Sequence, residues 1–311
     1  MKFGISFTTS FLNQAGALVL VYKDGTILVN HGGTEMGQGL HTKMQQIAAA
    51  EFGVSVSRVK VNATNTSKVP NTSATAASAG ADLNGMAVKN AIDILKNRIA
   101  IALAEHVNEE HSDTPTRAEN IIFENDEIID RAHPHRKIAF GEAMGLMNFM
   151  QVPLSATGFY KTPNVHFNKE KGSGRPFHYF AFGMCVSEVL VDTLTGRHTI
   201  LRTDILHDVG DSLNPQIDIG QVEGGYIQGV GWCTTEEIKW DAKGNLLTHS
   251  PDTYKIQSVQ DIPKDFRTQL LENVPNENTI RKSKAVAEPP FMLALATWLA
   301  IKDAISAVAE H

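Results

Sequence analysis

The sequence is short of cysteine, of basic charge and of long apolar runs, and each shortage excludes a class of function. Its two cysteines, Cys185 and Cys233, lie far apart. They form neither a disulfide framework nor a metal-type pair, and read as reduced thiols of a cytoplasmic protein. No four-cysteine set is present to hold an iron–sulfur cluster. Lys and Arg number 28 against 34 Asp and Glu, a net charge of -6, so no basic field exists for nucleic acid or an anionic membrane. No apolar window reaches the length of a membrane helix, and the opening Met1–Thr8 stretch lacks the apolar core of a secretory leader. His106, Glu109, Glu110 and His111 lack HExxH spacing, and His133 and His135 read as a lone pair without the carboxylate or cysteine support of a metal site. Gly172-Ser173-Gly174 lacks the nucleophile-elbow pattern. No phosphate-binding P-loop or dinucleotide fingerprint occurs.

What is there is an ordinary globular composition, 42% hydrophobic and 20% charged. A length of 311 residues suits two domains or subdomains with ample core. We place the division at 150/151: 1–150 with loops 32–39 and 72–80, and 151–311 with loops 219–224 and 284–290. Ala15–Tyr22 and Thr26–His31 read as strands around an Asp-Gly turn. A glycine-rich loop, Gly32–Gly39, leads to a helix over Leu40–Phe52 that Gly53 ends. Ala81 to about Val107 has helical periodicity, and Asn108–Asn120 reads as an exposed polar loop. A second hairpin spans His178–Asp192 and Arg197–Asp208, followed by a helix through Ile219, Val222, Tyr226 and Val230. Hairpin, glycine-containing loop, Gly-Gln dipeptide and helix thus occur twice, with Gly37-Gln38 and Gly220-Gln221. The pattern predicts an α+β fold built from duplicated hairpin–loop–helix units.

Three stretches are suited to a ligand. Glycines beside Gln38 and Gln221 admit close approach to backbone, and N–H groups at a helix start suit an anion. Thr72–Gly80 is a run of small residues whose amides can cluster. Each can equally serve only the fold. Glu288 stands before a double proline and an apolar run, Phe291–Ala296. Proline suits a first helical turn, so Glu288 is either an N-terminal cap or a site residue. Phe7 and Leu12 are candidates for a pocket or for core.

The residues together resemble a known family. The carriers are Gly32–Lys43, Pro70–Ser73 with Thr75–Ser78, Ala81–Gly85, Leu154–Tyr160, Pro176–Phe180, Asn214-Pro215 with Ile217–Gly224, and Lys284–Val286 with Glu288-Pro289-Pro290. Across nearly its whole length the chain resembles the C-terminal part of the molybdenum-binding subunit of xanthine dehydrogenases, in the xanthine oxidase family of molybdenum hydroxylases. The segment from Asn108 to about His135 matches least. The resemblance implies a molybdopterin cofactor (Mo-molybdopterin) contacted by Gln38, Ala77, Ser78 and Gln221. Gly80 stands where relatives can carry a phosphate-side serine. It implies substrate contacts at Phe7, Thr8, Leu12, Ala76 and Ala77, with Phe7 against the purine ring. Glu288 falls on the catalytic base, and Ala287 replaces a common glycine beside it.

The implied reaction is hydroxylation of a purine ring carbon, hypoxanthine or xanthine toward urate, with water as oxygen source. The implied partners are the N-terminal half of the molybdenum subunit and parts carrying 2Fe–2S and FAD, in a hetero-oligomer. The chain opens as if it were one part of something larger, and alone it is expected to be inactive. A related hydroxylase of another heterocycle or an aldehyde, and a non-catalytic assembly subunit, are the alternatives.

Overall fold

A computed structural model describes residues 1–308. In chain order its strands are β1 (Lys2–Ile5), β2 (Gln14–Val21), β3 (Ile27–His31), β4 (Val59–Val61), β5 (Ile121–Glu124), β6 (Glu127–Asp130), β7 (Lys137–Ala139), β8 (Ser155–Lys161), β9 (His166–Asn168), β10 (Ser173–Arg175), β11 (Tyr179–Val191), β12 (His198–His207) and β13 (Asp265–Leu270). Its helices are α1 (Leu40–Phe52), α2 (Gly80–Glu110), α3 (Phe140–Phe149), α4 (Pro215–Thr234) and α5 (Leu295–Ser306). Among the described residues no helix is long and apolar enough to cross a membrane.

The chain forms two compact units. One holds Ser6–His178 with Thr279–Arg281; the other holds Met1–Ile5, Tyr179–Asn278 and the chain from Lys282 onward. The division therefore falls at 178/179 and not at 150/151. The reason is β8, which pairs antiparallel with β2 from Gln14↔Lys161 to Leu20↔Ser155. It also lies directly on α2: a Cβ on Gly158 would stand 2.0 Å from the Ala87 carbonyl oxygen. A strand bonded and packed in this way belongs to the first core.

In the first unit the sheet order is β4-β3-β2-β8. Gly25, at φ 81°, makes the β2–β3 turn, and Asp24 accepts the Thr26 N–H at 2.9 Å. Helix α1 has the predicted bounds; Gly53 closes it in the left-handed conformation. Helix α2 buries Leu83, Ala87, Val88, Ile92, Leu95, Ile99 and Leu103, a stripe spaced at three and four from Val88 onward, and runs on to Glu110. The segment after it is exposed from His111 to Pro115, as expected, and is fastened at the buried Thr116. The Asn108 side chain donates to the Thr116 carbonyl at 3.0 Å and accepts its N–H at 2.7 Å. The buried Asp130 accepts from Thr116 Oγ1 at 2.7 Å and lies 2.8 Å from His133 Nδ1. His133 therefore has a carboxylate partner after all, within a structural network. Among the described residues no group of three His, Cys, Asp or Glu is placed to hold a metal ion.

The second unit repeats the first. Its sheet order is β1-β11-β12-β13. In each unit an antiparallel hairpin (β2–β3, β11–β12) runs into a helix (α1, α4). The next strand (β4, β13) returns parallel to the hairpin's second strand, and the remaining strand (β8, β1) is antiparallel to its first. The predicted duplication is thus a duplication of topology. The core of this unit gathers Ile200, Ile205, Val222, Val230 and Leu293 around Tyr226. The Tyr226 hydroxyl lies within 2.9 Å of Thr203 Oγ1 and 3.2 Å of Ser187 Oγ, so its burial leaves no bare polar atom.

The repeat places a buried histidine at the end of each second hairpin strand. His31 is 2% exposed and His207 is fully buried. His31 Nδ1 accepts the Gly33 N–H at 3.1 Å, which puts its proton on Nε2. His207 Nδ1 faces the Phe182 carbonyl at 2.9 Å and so carries the proton itself. Burial lowers both to about 4; for His31 the nearby His41 adds to the effect, and for His207 burial outweighs the Phe182 bond. Unfolded, both titrate near 6.5. As pH falls from 6.5 toward 4, the unfolded chain binds protons that the fold refuses. Stability is full above pH 6.5 and drops below it, by on the order of 3 kcal/mol per histidine once pH passes 4. Denaturant unfolding between pH 7 and 5 measures this slope, and His31→Gln and His207→Gln are each expected to remove about half of it.

Candidate active site

The predicted site residues divide between the two units. In the first unit three loops are tied together. The loop after β1 carries Phe7, Thr8 and, in a short 3-10 turn at Ser10–Leu12, Leu12. Asn13 closes it: its side chain accepts the Phe7 N–H at 2.8 Å and donates to the Phe7 carbonyl at 2.9 Å. Ser73 Oγ donates to the Leu12 carbonyl and lies 3.0 Å from that of Gln14. The glycine-rich loop joins the same set, because the Thr34 N–H donates to Thr75 Oγ1 at 2.8 Å. Gly32 is needed there, since a Cβ would stand 1.8 Å from Thr72 Oγ1. Phe7, Leu12 and Gln38 are thereby fixed to the loop that carries Ala76, Ala77 and Ser78. Thr8 is exposed and Phe7 half-buried.

Helix α1 starts without a capping side chain at Gly39, its N-cap residue. Glu35 supplies the missing acceptor. Its Oε1 accepts the N–H groups of Gly37 at 2.9 Å and Gly39 at 3.0 Å, and its Oε2 accepts that of His41 at 2.9 Å. Burial pushes this carboxyl up, but the three backbone donors outweigh burial and hold it below its ordinary value. The sequence reading left those N–H groups to a bound anion; an internal carboxylate already takes them. Between them, Gln38 is folded onto its own loop, accepting the Met36 N–H at 2.6 Å and donating to the Thr34 carbonyl at 2.8 Å. A primary amide still has one N–H and one lone pair to offer a ligand.

Ala77 and Ser78 are consecutive residues in the left-handed region, at φ 55° and 51°. Residues with a Cβ pay about 1–2 kcal/mol each to sit there. Such strain persists only where the surroundings or a ligand require it. Gly80, the first residue of α2, has no such requirement. A Cβ there would meet Leu40 methyls at 3.6 and 3.7 Å, ordinary contact, so the fold leaves room for the serine that relatives can carry.

In the second unit, Gln221 lies well inside α4 and not at a loop–helix junction. Asn214 caps the helix by accepting the Ile217 N–H at 3.1 Å, and Pro215 occupies its first turn. Segment 219–224 is therefore helix, its backbone N–H groups are committed, and Gln221 has only its side chain to offer. Gly220 and Gly224 flank it with open space where a Cβ would be. Gly225 and Gly229 are bare for the opposite reason. A Cβ on Gly225 would stand 2.7 Å from the Ala287 carbonyl oxygen, and one on Gly229 would stand 2.2 Å from that of Phe291. α4 thus lies at backbone contact with the segment that carries Glu288.

That segment is fastened along its length. Ser283 bridges to Gly210. The Lys284 N–H donates to the Val209 carbonyl at 2.7 Å, and its ammonium meets the buried Asp208 carboxylate at 2.5 Å and the Phe180 carbonyl at 3.1 Å. The Ala285 N–H donates to the Tyr179 hydroxyl at 2.7 Å. Ala285, Val286, Pro289 and Pro290 are buried while Glu288 is exposed. Glu288 occupies the N-cap position of a 3-10 turn, Pro289–Ala294, yet its side chain makes no cap hydrogen bond. Of the two roles open to it in the sequence, the cap is excluded. The double proline and the start of the apolar run form this 3-10 turn; α5 beyond it buries only Thr297 and leaves Leu295, Trp298 and Leu299 exposed. Ala287 is not among the positive-φ residues, so the backbone here does not require the glycine it replaces.

Sequence reasoning missed Glu35, Asn13 and the Asp208–Lys284 pair. For Glu35 the signal was present: a helix whose N-cap is glycine needs an acceptor from elsewhere. The other two depend on contacts between residues distant in sequence.

The glycines and the strained pair predict opposite signs of stability change in unfolding by denaturant. Gly229→Ala is expected to cost about 2 kcal/mol through overpacking, and Gly220→Ala to add about 1 kcal/mol through helix propensity. Ala77→Gly is expected to add about 1 kcal/mol by relieving a left-handed alanine. Gly220→Ala and Gly229→Ala changing stability in the same direction would contradict the packing of α4 described above.

The residues fit a large anionic cofactor rich in hydrogen-bonding groups. In the first unit the Gln38 amide and a strained turn of small residues offer close approach; in the second, taken by itself, the Gln221 amide and a bare glycine face on α4 do. A family model described as the molybdopterin cofactor-binding domain matches residues 1–263. The chain is 49% identical over 311 residues to the mouse (Mus musculus) xanthine dehydrogenase/oxidase, covering 100% of this chain and 21% of that protein. It is 49% identical over 309 residues to the xanthine dehydrogenase of Dictyostelium discoideum, covering 98% of this chain and again 21% of the relative. The chain therefore spans about a fifth of the length of these relatives. Among solved structures, quinoline 2-oxidoreductase from Pseudomonas putida 86 is similar with a TM-score of 0.84 at 25% identity, over 99% of this chain and 38% of that one. With a family model matched over most of its length, the chain belongs to the molybdopterin cofactor-binding domain family.

Proposed function

We propose that this chain is the C-terminal portion of the molybdenum subunit of a xanthine-dehydrogenase-type oxidoreductase. In this reading the enzyme hydroxylates a purine ring carbon, hypoxanthine or xanthine toward urate, with water as oxygen source. The supporting observation is Glu288: an exposed carboxylate on a fastened backbone, whose side chain makes no cap hydrogen bond, in a chain 49% identical along its whole length to the mouse enzyme.

When bound, the molybdenum cofactor supplies the redox centre that accepts the electron pair lost by the substrate carbon. This chain's residues do the rest. Gln38 and Gln221 offer side-chain amides to the cofactor, and Ala77, Ser78 and Gly80 offer backbone. Phe7 lies against the substrate ring, with Thr8, Leu12, Ala76 and Ala77 as further contacts. Glu288 acts as general base, taking the proton of the attacking oxygen. The N-terminal half of the molybdenum subunit and parts carrying 2Fe–2S and FAD complete the enzyme as a hetero-oligomer, in the cytoplasm, and the chain alone turns over no xanthine. The likeness to quinoline 2-oxidoreductase favours a second reading, in which the substrate is another N-heterocycle.

Glu288→Gln in the full-length enzyme is expected to lower kcat for xanthine by roughly a hundred- to ten-thousand-fold, the usual range for a lost general base, while molybdenum per chain stays unchanged. Steady-state assay with metal analysis checks both. Unchanged turnover would leave this chain an assembly subunit, and faster turnover of quinoline or nicotinate than of purines would move the reading to the second substrate class.

A further inference from the structure

We propose that Glu35 is a positioning residue: it serves as a built-in anion that shapes the loop presenting Gln38 and keeps the N-terminus of α1 closed to the anionic end of any ligand. The role rests on the reading of Gln38 as a cofactor contact.

Three observations carry it. The carboxylate is the shared acceptor of three converging N–H groups, those of Gly37, Gly39 and His41. Two of them, Gly39 and His41, are among the donors that a helix start ordinarily offers to a phosphate or a capping side chain, and Gly37 lies just before it. Next, the loop cannot hold this shape by propensity. Gly37 and Gly39 are left-handed at φ 101° and 77°, and a Cβ on Gly37 would touch nothing within 4 Å. Glycines in open space are free to leave such a conformation unless something retains them. Finally, Gln38 lies between the two glycines and its amide is closed on Thr34 and Met36, so its direction follows theirs. Glu35 touches neither substrate nor cofactor in this account; it acts through the backbone on either side of Gln38.

One consequence separates this role from simple packing. Removing the carboxylate leaves three unpaired N–H groups around a carboxylate-sized space, so a small carboxylate from solution should replace it. The test uses the full-length protein with Glu35→Ala and Glu35→Gln, with circular dichroism to confirm folding. Amide hydrogen exchange of the 36–41 segment and molybdenum per chain are then measured with and without sodium formate, against equal sodium chloride. Exchange of the Gly37, Gly39 and His41 amides in Glu35→Ala is expected to speed up at least tenfold and molybdenum to fall several-fold. Formate, and not chloride, should restore both. Glu35→Gln, with a single carbonyl oxygen for three donors, should fall between and gain nothing from formate. Wild-type exchange in Glu35→Ala, or a loss that formate does not relieve, would overturn the proposal; should that variant not fold, wild-type exchange in Glu35→Gln would do the same. The exchange and formate readouts need no cofactor. A wild-type protein without molybdenum would therefore remove the cofactor reading while those readouts still decide the role of Glu35 in the loop.

Discussion

The Phe291 carbonyl oxygen lies 2.2 Å from where the side chain of residue 229 would begin. Helix α4 and the segment of Glu288 are therefore in contact through backbone, a distance that exists only because residues 225 and 229 lack side chains. Much of the second unit follows from this approach. It lets Val222, Tyr226 and Val230 reach the sheet on one side. It also brings the chain past the helix closely enough for Ala285 and Val286 to be buried and Glu288 to stay outside. Close backbone packing is unforgiving, because neither partner has a flexible side chain with which to yield. The backbone that carries this carboxylate owes its position to the framework.

What was legible in the sequence was what local chemistry decides. The Asp-Gly turn, the left-handed Gly53 and the three-four spacing of α2 each specify a short stretch without reference to the rest of the chain, and those elements stand where expected. Parallel pairing has no local signal. Nothing around Val59 or Phe266 announces that these strands return beside β3 and β12, and the apparent break at 150/151 hid the bonding of β8 to β2. Gln221 was misplaced because a glycine beside a glutamine reads as a junction, while the true start of α4 lies at the Asn214-Pro215 cap. For the site, the residue types were visible and the resemblance gave them roles. The ties among them were not visible, since Asn13, Ser73 and Asp208 act on residues far away or through backbone.

The two units differ in how they store conformational energy. In the first unit, Ala77 and Ser78 hold an unfavourable backbone that the fold sustains at a cost. In the second, Gly220 and Gly224 weaken a helix that would gain from alanine. Neither departure improves folding, and departures of that kind gather where a surface is shaped for a ligand. The Lys284–Asp208 pair behaves in the ordinary way. The two charges neutralise each other, while Lys284 also donates to the Phe180 carbonyl and Asp208 accepts the Gly210 N–H, which a buried ion pair needs in order not to destabilise its surroundings.

The first strand is the exception to the orderly division of the chain. β1 pairs with Tyr179–Phe182 and belongs to the unit whose other residues all come after His178. During synthesis it leaves the ribosome long before its partner exists. At typical elongation rates of about 5–20 residues per second, the wait is roughly ten to forty seconds. For that interval the first unit can assemble around β2, β3 and β8 while Lys2–Ile5 remains an unpaired extended segment. The half that carries Glu288 is thus completed by a strand made before any of it, and its sheet reaches full width only when the two distant stretches of chain meet.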